Sequence, residues 1–88
     1  MDHIMARIKG AKMEDIKAAL KADALEHAKQ GLMLRHIWRN ADDQDEIVFI
    51  FTATDLDAAR KYIKAVHEQV LKENPTATLP TMLFLKGE

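Results

Sequence analysis

The chain contains no cysteine, which excludes disulfides, thiolate metal sites and thiol nucleophiles. It contains no serine, so a Ser-His-Asp nucleophilic set cannot be assembled. Only three glycines occur, and none are clustered, which removes a Gly-rich phosphate loop. The formal net charge is -1, so no positive field draws in nucleic acid or an anionic membrane surface. No apolar run approaches the ~20 residues of a membrane span. The opening "MDHIMARIKG" has no basic stretch leading into an apolar one and does not read as a secretion signal. The expectation is a cytoplasmic protein of bacterial type, bound to neither membrane nor nucleic acid.

What is present is a soluble-domain composition, 48% hydrophobic and 31% charged over 88 residues, enough for one domain spanning residues 1–88. His3 to Lys9 alternates, with Ile4, Ala6 and Ile8 on one face, and reads as a half-buried strand that Gly10 ends. Met13 to Gln30 is rich in Ala, Leu, Lys and Glu and reads as one helix. Its stripe is Met13, Ile16, Leu20, Ala24 and Ala28, with Gly31 placed as the left-handed cap. Leu32 to Asn40 and Glu46 to Thr54 read as two strands joined through the polar "ADDQD". Asp55 is a good N-cap for a helix striped with Leu56, Ala59, Tyr62, Ile63, Val66 and Val70, which Asn74-Pro75 stops. Leu79 to Lys86 is the last strand, its Pro80 suited to a strand end or a sheet edge.

The order β-α-β-β-α-β is the split βαβ, ferredoxin-like arrangement of the α+β class. It gives a four-stranded antiparallel sheet with two helices on one face. The third strand is apolar on both sides, Ile47, Phe49, Phe51 and Ala53 one way and Val48 and Ile50 the other. The last strand behaves similarly. A helix layer covers one face only, and the other is too apolar for open water. A homodimer packed sheet to sheet is therefore expected, the alternative being a monomer with a partly exposed sheet.

With these elements placed, the sequence resembles the dimeric α+β barrel superfamily, which includes antibiotic-biosynthesis-monooxygenase-like and small cyclase-like bacterial proteins. The resemblance rests on Gly31-Leu32, Arg39-Asn40-Ala41-Asp42-Asp43, Glu46-Ile47 and Asp55-Leu56-Asp57-Ala58-Ala59-Arg60. Ile16 stands where the similar branch carries tryptophan, His27 where it carries arginine, and Gln44 where a turn proline is common. The resemblance implies a sheet-to-sheet dimer. It also implies a cofactor-independent monooxygenase, cyclase or isomerase acting on a small hydrophobic or aromatic molecule. The alternative is a non-catalytic dimeric ligand-binding or protein-interaction module, since one fold hosts many functions.

Candidate chemistry concentrates in two places. Strict alternation along "LMLRHIWRN" puts Leu32, Leu34, His36 and Trp38 on one face and Met33, Arg35, Ile37 and Arg39 on the other. His36 is then a candidate base in apolar surroundings and Trp38 a stacking wall, with Phe49 and Phe51 as further substrate-binding aromatics. The plainer alternative is a core histidine beside a packing tryptophan. Asp23 and His27, four residues apart on the first helix, form a carboxylate–imidazole candidate that could face His36 across a cavity. Their plainer alternative is a solvated ion pair. Asp23, His27 and His36 are metal-ligand types, but no spacing selects a metal, and none is expected. "DDQDE" lacks the glycine and length of a calcium loop. An RNA-recognition domain shares the element order, yet its third strand should open on a basic residue and glycine where this one opens on Asp45-Glu46.

Overall fold

The computed structural model describes residues 1–88. The elements run β1 (Asp2–Lys9), α1 (Met13–Ala22), α2 (Ala24–Lys29), β2 (Leu32–Asn40), β3 (Asp43–Ala53), α3 (Leu56–Glu73) and β4 (Thr81–Leu85). The four strands form one antiparallel sheet in the order β2-β3-β1-β4, with β1 and β3 central. No helix is long and apolar enough to cross a membrane.

The core lies on the helix side of the sheet. Ile4, Ala6 and Ile8 of β1 register against Phe51, Phe49 and Ile47 of β3, and all six are buried. Leu32, Ala53, and Ala59 and Ile63 of α3 complete the ten buried hydrophobic residues. Asp55 caps α3 as its residue type suggests, its carboxylate accepting the Ala58 N–H at 3.0 Å. Gly31 has φ +76° because the chain must turn sharply from α2 into β2. A Cβ there would also run into the Thr54 hydroxyl.

Three expectations are corrected. The first helix is not continuous from Met13 to Gln30; it breaks at Asp23, which has φ −94° and ψ 2°. Aspartate is a weak helix former that competes for backbone partners, and the break sets the six-residue α2 alongside β2. The second correction concerns β2. Leu34 pairs with Phe51 but His36 pairs with Ile50, so Arg35 is an extra residue in a β-bulge. One inserted residue exchanges the two faces of everything beyond it. Leu32 and Leu34 face the helices, and so does Ile37, paired with the buried Phe49. His36 and Trp38, paired with Ile50 and Val48, turn to the open face. The hairpin turn is also tighter than "ADDQD" suggests, because Asn40 pairs directly with Asp43 and the surplus residues Gln44 to Glu46 swell β3.

The open face ends in a charged cluster. Glu46, only 4% exposed, accepts two hydrogen bonds from Arg7 at 3.0 and 3.1 Å and one from Asn40 at 2.9 Å. Lys9 pairs with Asp43 at 2.9 Å. The Arg7 hydrogen bond holds the Glu46 carboxyl below its ordinary value of 4.5, with Asn40 adding to it. The hydrogen bond from Lys9 likewise lowers Asp43 from 3.8. Both native values are depressed, so stability is fully present above the ordinary carboxylate range and is lost as pH falls through the native values. Urea midpoints should therefore fall between pH 5 and pH 3, and Glu46→Gln should flatten that slope. An unchanged slope in the variant would remove Glu46 as its source.

Candidate functional site

Neither α1 nor α2 buries a single residue completely. Met13, Ile16 and Leu20 of α1 pack half-buried against the core, and a cavity of about 330 Å³ remains between α1, α2, α3 and the strands. That volume is at the small end of the ~300–1,000 Å³ typical of ligand pockets. Most of its wall is apolar, including Leu20, Phe49, Phe51, Ile63, Val66 and Leu79. The groups with chemistry are Asp23, His27, Tyr62 and His67.

A run of edge-to-face aromatic contacts builds one side. Phe49 meets Phe51 at 5.9 Å between centroids, and Phe51 meets the His27 imidazole at 5.4 Å and 86°. His27 in turn meets Tyr62 at 6.1 Å and 82°. Such geometry sets the positive edge of one ring against the negative face of the next. Burial raises the Tyr62 phenol above its ordinary 10.0, and the nearby Glu26 and Asp23 carboxylates raise it further. Burial lowers His67 below its ordinary 6.5. Near neutral pH the cavity therefore holds a neutral phenol and a neutral His67 imidazole.

The fold divides the residues singled out in the sequence. Asp23, His27, Phe49 and Phe51 line the helix-side cavity. His36 and Trp38 lie on the opposite side of the sheet, stacked at 4.9 Å and 15°, with Trp38 47% exposed. His36 cannot face His27, because the sheet separates them, and the same separation dissolves the Asp23, His27 and His36 metal-ligand set. The bond that joins Asp23 to His27 is between backbones, His27 N–H to the Asp23 carbonyl at 2.9 Å. The helix break leaves the Asp23 side chain largely exposed.

Tyr62 and His67 were not among the expected site residues. By its spacing Tyr62 belongs to the packing stripe of α3. His67 follows Ile63 by one helical turn, which puts it on the buried stripe and was a readable signal. Of the strand arginines, Arg7 pairs across strands with Glu46, and Arg39 donates to the Gln44 carbonyl in the bulged part of the hairpin.

No protein-family model matches the chain, and no curated protein matches it. Solved structures do. An uncharacterized NIPSNAP domain protein from Burkholderia xenovorans aligns over 100% of this chain and 95% of its own, with a TM-score of 0.59 and 15% identity. A protein from Agrobacterium tumefaciens aligns over 100% of this chain and 94% of its own, with a TM-score of 0.55 and 15% identity. At that identity the likeness is one of fold, and the chain has, along its whole length, the ferredoxin-like α+β fold that the resemblance to dimeric α+β barrel proteins implied.

Proposed function

We propose that the protein is a cytoplasmic homodimer that binds a small hydrophobic or aromatic molecule in the helix-side cavity and moves a proton on it without a bound cofactor. The observation that carries this reading is the convergence of His27, His67 and Tyr62 on one aromatic-walled cavity. Isomerases, cyclases and cofactor-independent monooxygenases share a first step, removal of a proton from an activated carbon. His27 is the base for that step. The Tyr62 phenol, which stays protonated, donates a hydrogen bond to the oxygen where negative charge develops. Return of the proton from His27 to a different carbon completes an isomerisation. Phe49 and Phe51, set edge to face, supply the apolar wall against which the substrate rests. Binding without catalysis is the second reading. It is favoured by one feature, the absence of a carboxylate oriented onto the His27 imidazole.

The test is native mass spectrometry for a copurified small molecule, followed by titration or turnover with that compound. His27→Ala should lower turnover by roughly 10²–10⁴-fold if the imidazole is the base, and weaken binding in either reading. His36→Ala should leave the cavity's affinity unchanged, because His36 is across the sheet. Unaltered binding and turnover in His27→Ala would remove that residue, and an effect confined to His36→Ala would move the site to the open face.

A further inference from the structure

A second hollow, of about 490 Å³, lies on the outer flank of the helix layer between α1, α2 and the edge strand β2. Its floor is apolar, with Leu20, Leu32, Leu34 and Ile37. Its charged lining groups are Lys17 and Lys21, and no carboxylate lines it. These lysines are one helical turn apart, so both ammonium groups share one rim. Like charges at that spacing repel. The ion pairs of the chain are Arg7–Glu46, Lys9–Asp43 and Lys29–Glu26, so neither lysine has an acidic partner. The hollow shares Leu20, His27 and Leu32 with the inner cavity, so the two adjoin at His27.

We propose that the ligand is a monocarboxylate with an apolar body, entering through this outer hollow. Its carboxylate sits between Lys17 and Lys21, and its body lies against Leu34 and Ile37. Its far end reaches His27. An anion at that rim relieves the repulsion between the two lysines and gains charge-assisted hydrogen bonds. The apolar floor takes the rest of the molecule out of water. A neutral or cationic compound of the same shape leaves the repulsion in place. The assignment rests on the reading that His27 works on a bound ligand, and it adds the chemical class of that ligand.

A matched pair of probes tests it. 1-Naphthylacetate and its neutral amide, 1-naphthylacetamide, are titrated into the full chain by calorimetry, with the backbone amide signals of Leu34 and Ile37 followed by NMR. The acid should bind about tenfold more tightly than the amide. Added salt should weaken the acid alone. The double substitution Lys17→Gln with Lys21→Gln, both at exposed positions, should bring the acid down to the amide's affinity and leave the amide unchanged. Equal affinities in the native chain, or a preference for the acid that survives the double substitution, would overturn the carboxylate assignment while leaving ligand binding beside His27 intact. If neither probe binds or shifts Leu34 and Ile37, the carboxylate assignment fails, while the inner-cavity reading stands or falls separately on the copurified-ligand measurement.

Discussion

Leu83→Glu should convert a species of about twice 10.0 kDa into one of 10.0 kDa in light scattering at micromolar concentration. The expectation comes from the open face of the sheet. Met5, Val48 and Ile50 lie at its centre by register, and Met33, Trp38 and Leu83 are 55%, 47% and 52% exposed there in a single chain. A two-fold, sheet-to-sheet pairing removes this surface from water on both copies at once. One substitution therefore places two carboxylates in the interface, and an unpaired buried charge costs several kcal/mol. Because Leu83 is half exposed before any pairing, the variant should keep its far-ultraviolet circular dichroism. A native chain that is monomeric at tens of micromolar would refute the pairing, as would a Leu83→Glu variant that stays dimeric.

Ile4→Ala should produce the largest loss of stability of any conservative truncation. Ile4 is 0% exposed and lies in a central strand, with Phe51 opposite it on one side and Phe84 on the other. Truncating a buried isoleucine costs about 2–5 kcal/mol, part from lost burial and part from the hole left behind. Small domains are stable by only about 5–15 kcal/mol in total, so the loss consumes a large share of the margin. With ten buried hydrophobic residues in all, few neighbours can shift to fill the space. Urea denaturation at one fixed protein concentration gives the comparison. Leu25→Ala, at a position 82% exposed, should stay within about 0.5 kcal/mol of the native chain. A cost below about 1 kcal/mol for Ile4→Ala would mean that the centre of the sheet is not packed as described.

The strands β1 and β3 are readable because, over Ile4–Ile8 and Ile47–Ala53, their period-two patterns meet in a register that keeps every buried hydrophobic side chain on one side. The alternation of β2 misled for a definite reason. "LMLRHIWRN" fits period two from end to end only by grouping Ile37 with Arg35 and Arg39. An isoleucine between two arginines on one face is a local inconsistency. The step of three from Leu34 to Ile37 resolves it, and that step is the trace of the bulge. The break at Asp23 was less accessible, since the helical stripe continues through it and only the weak propensity of one aspartate argues otherwise. A cavity beside Asp23 and His27 is a sequence expectation, but its size and its other walls are not legible there. Its walls come from α1, α2, α3 and the strands together, and the space left among them depends on how all these side chains pack. Residue type singles out His27, Phe49 and Phe51, but packing sets where they meet.

The bulge at Arg35 has a consequence for life at high concentration. β2 is an edge strand of nine residues carrying Leu32, Met33, Leu34, Ile37 and Trp38. An unbroken ladder of free N–H and C=O groups on so apolar a strand is a template on which another chain can add a strand and begin an aggregate. The extra residue interrupts that ladder in mid-strand and increases its twist. It also leaves Arg35 exposed at the kink, where an incoming strand would have to bury a guanidinium. The same inserted residue that turns His36 and Trp38 to the open face also works against strand addition at this edge.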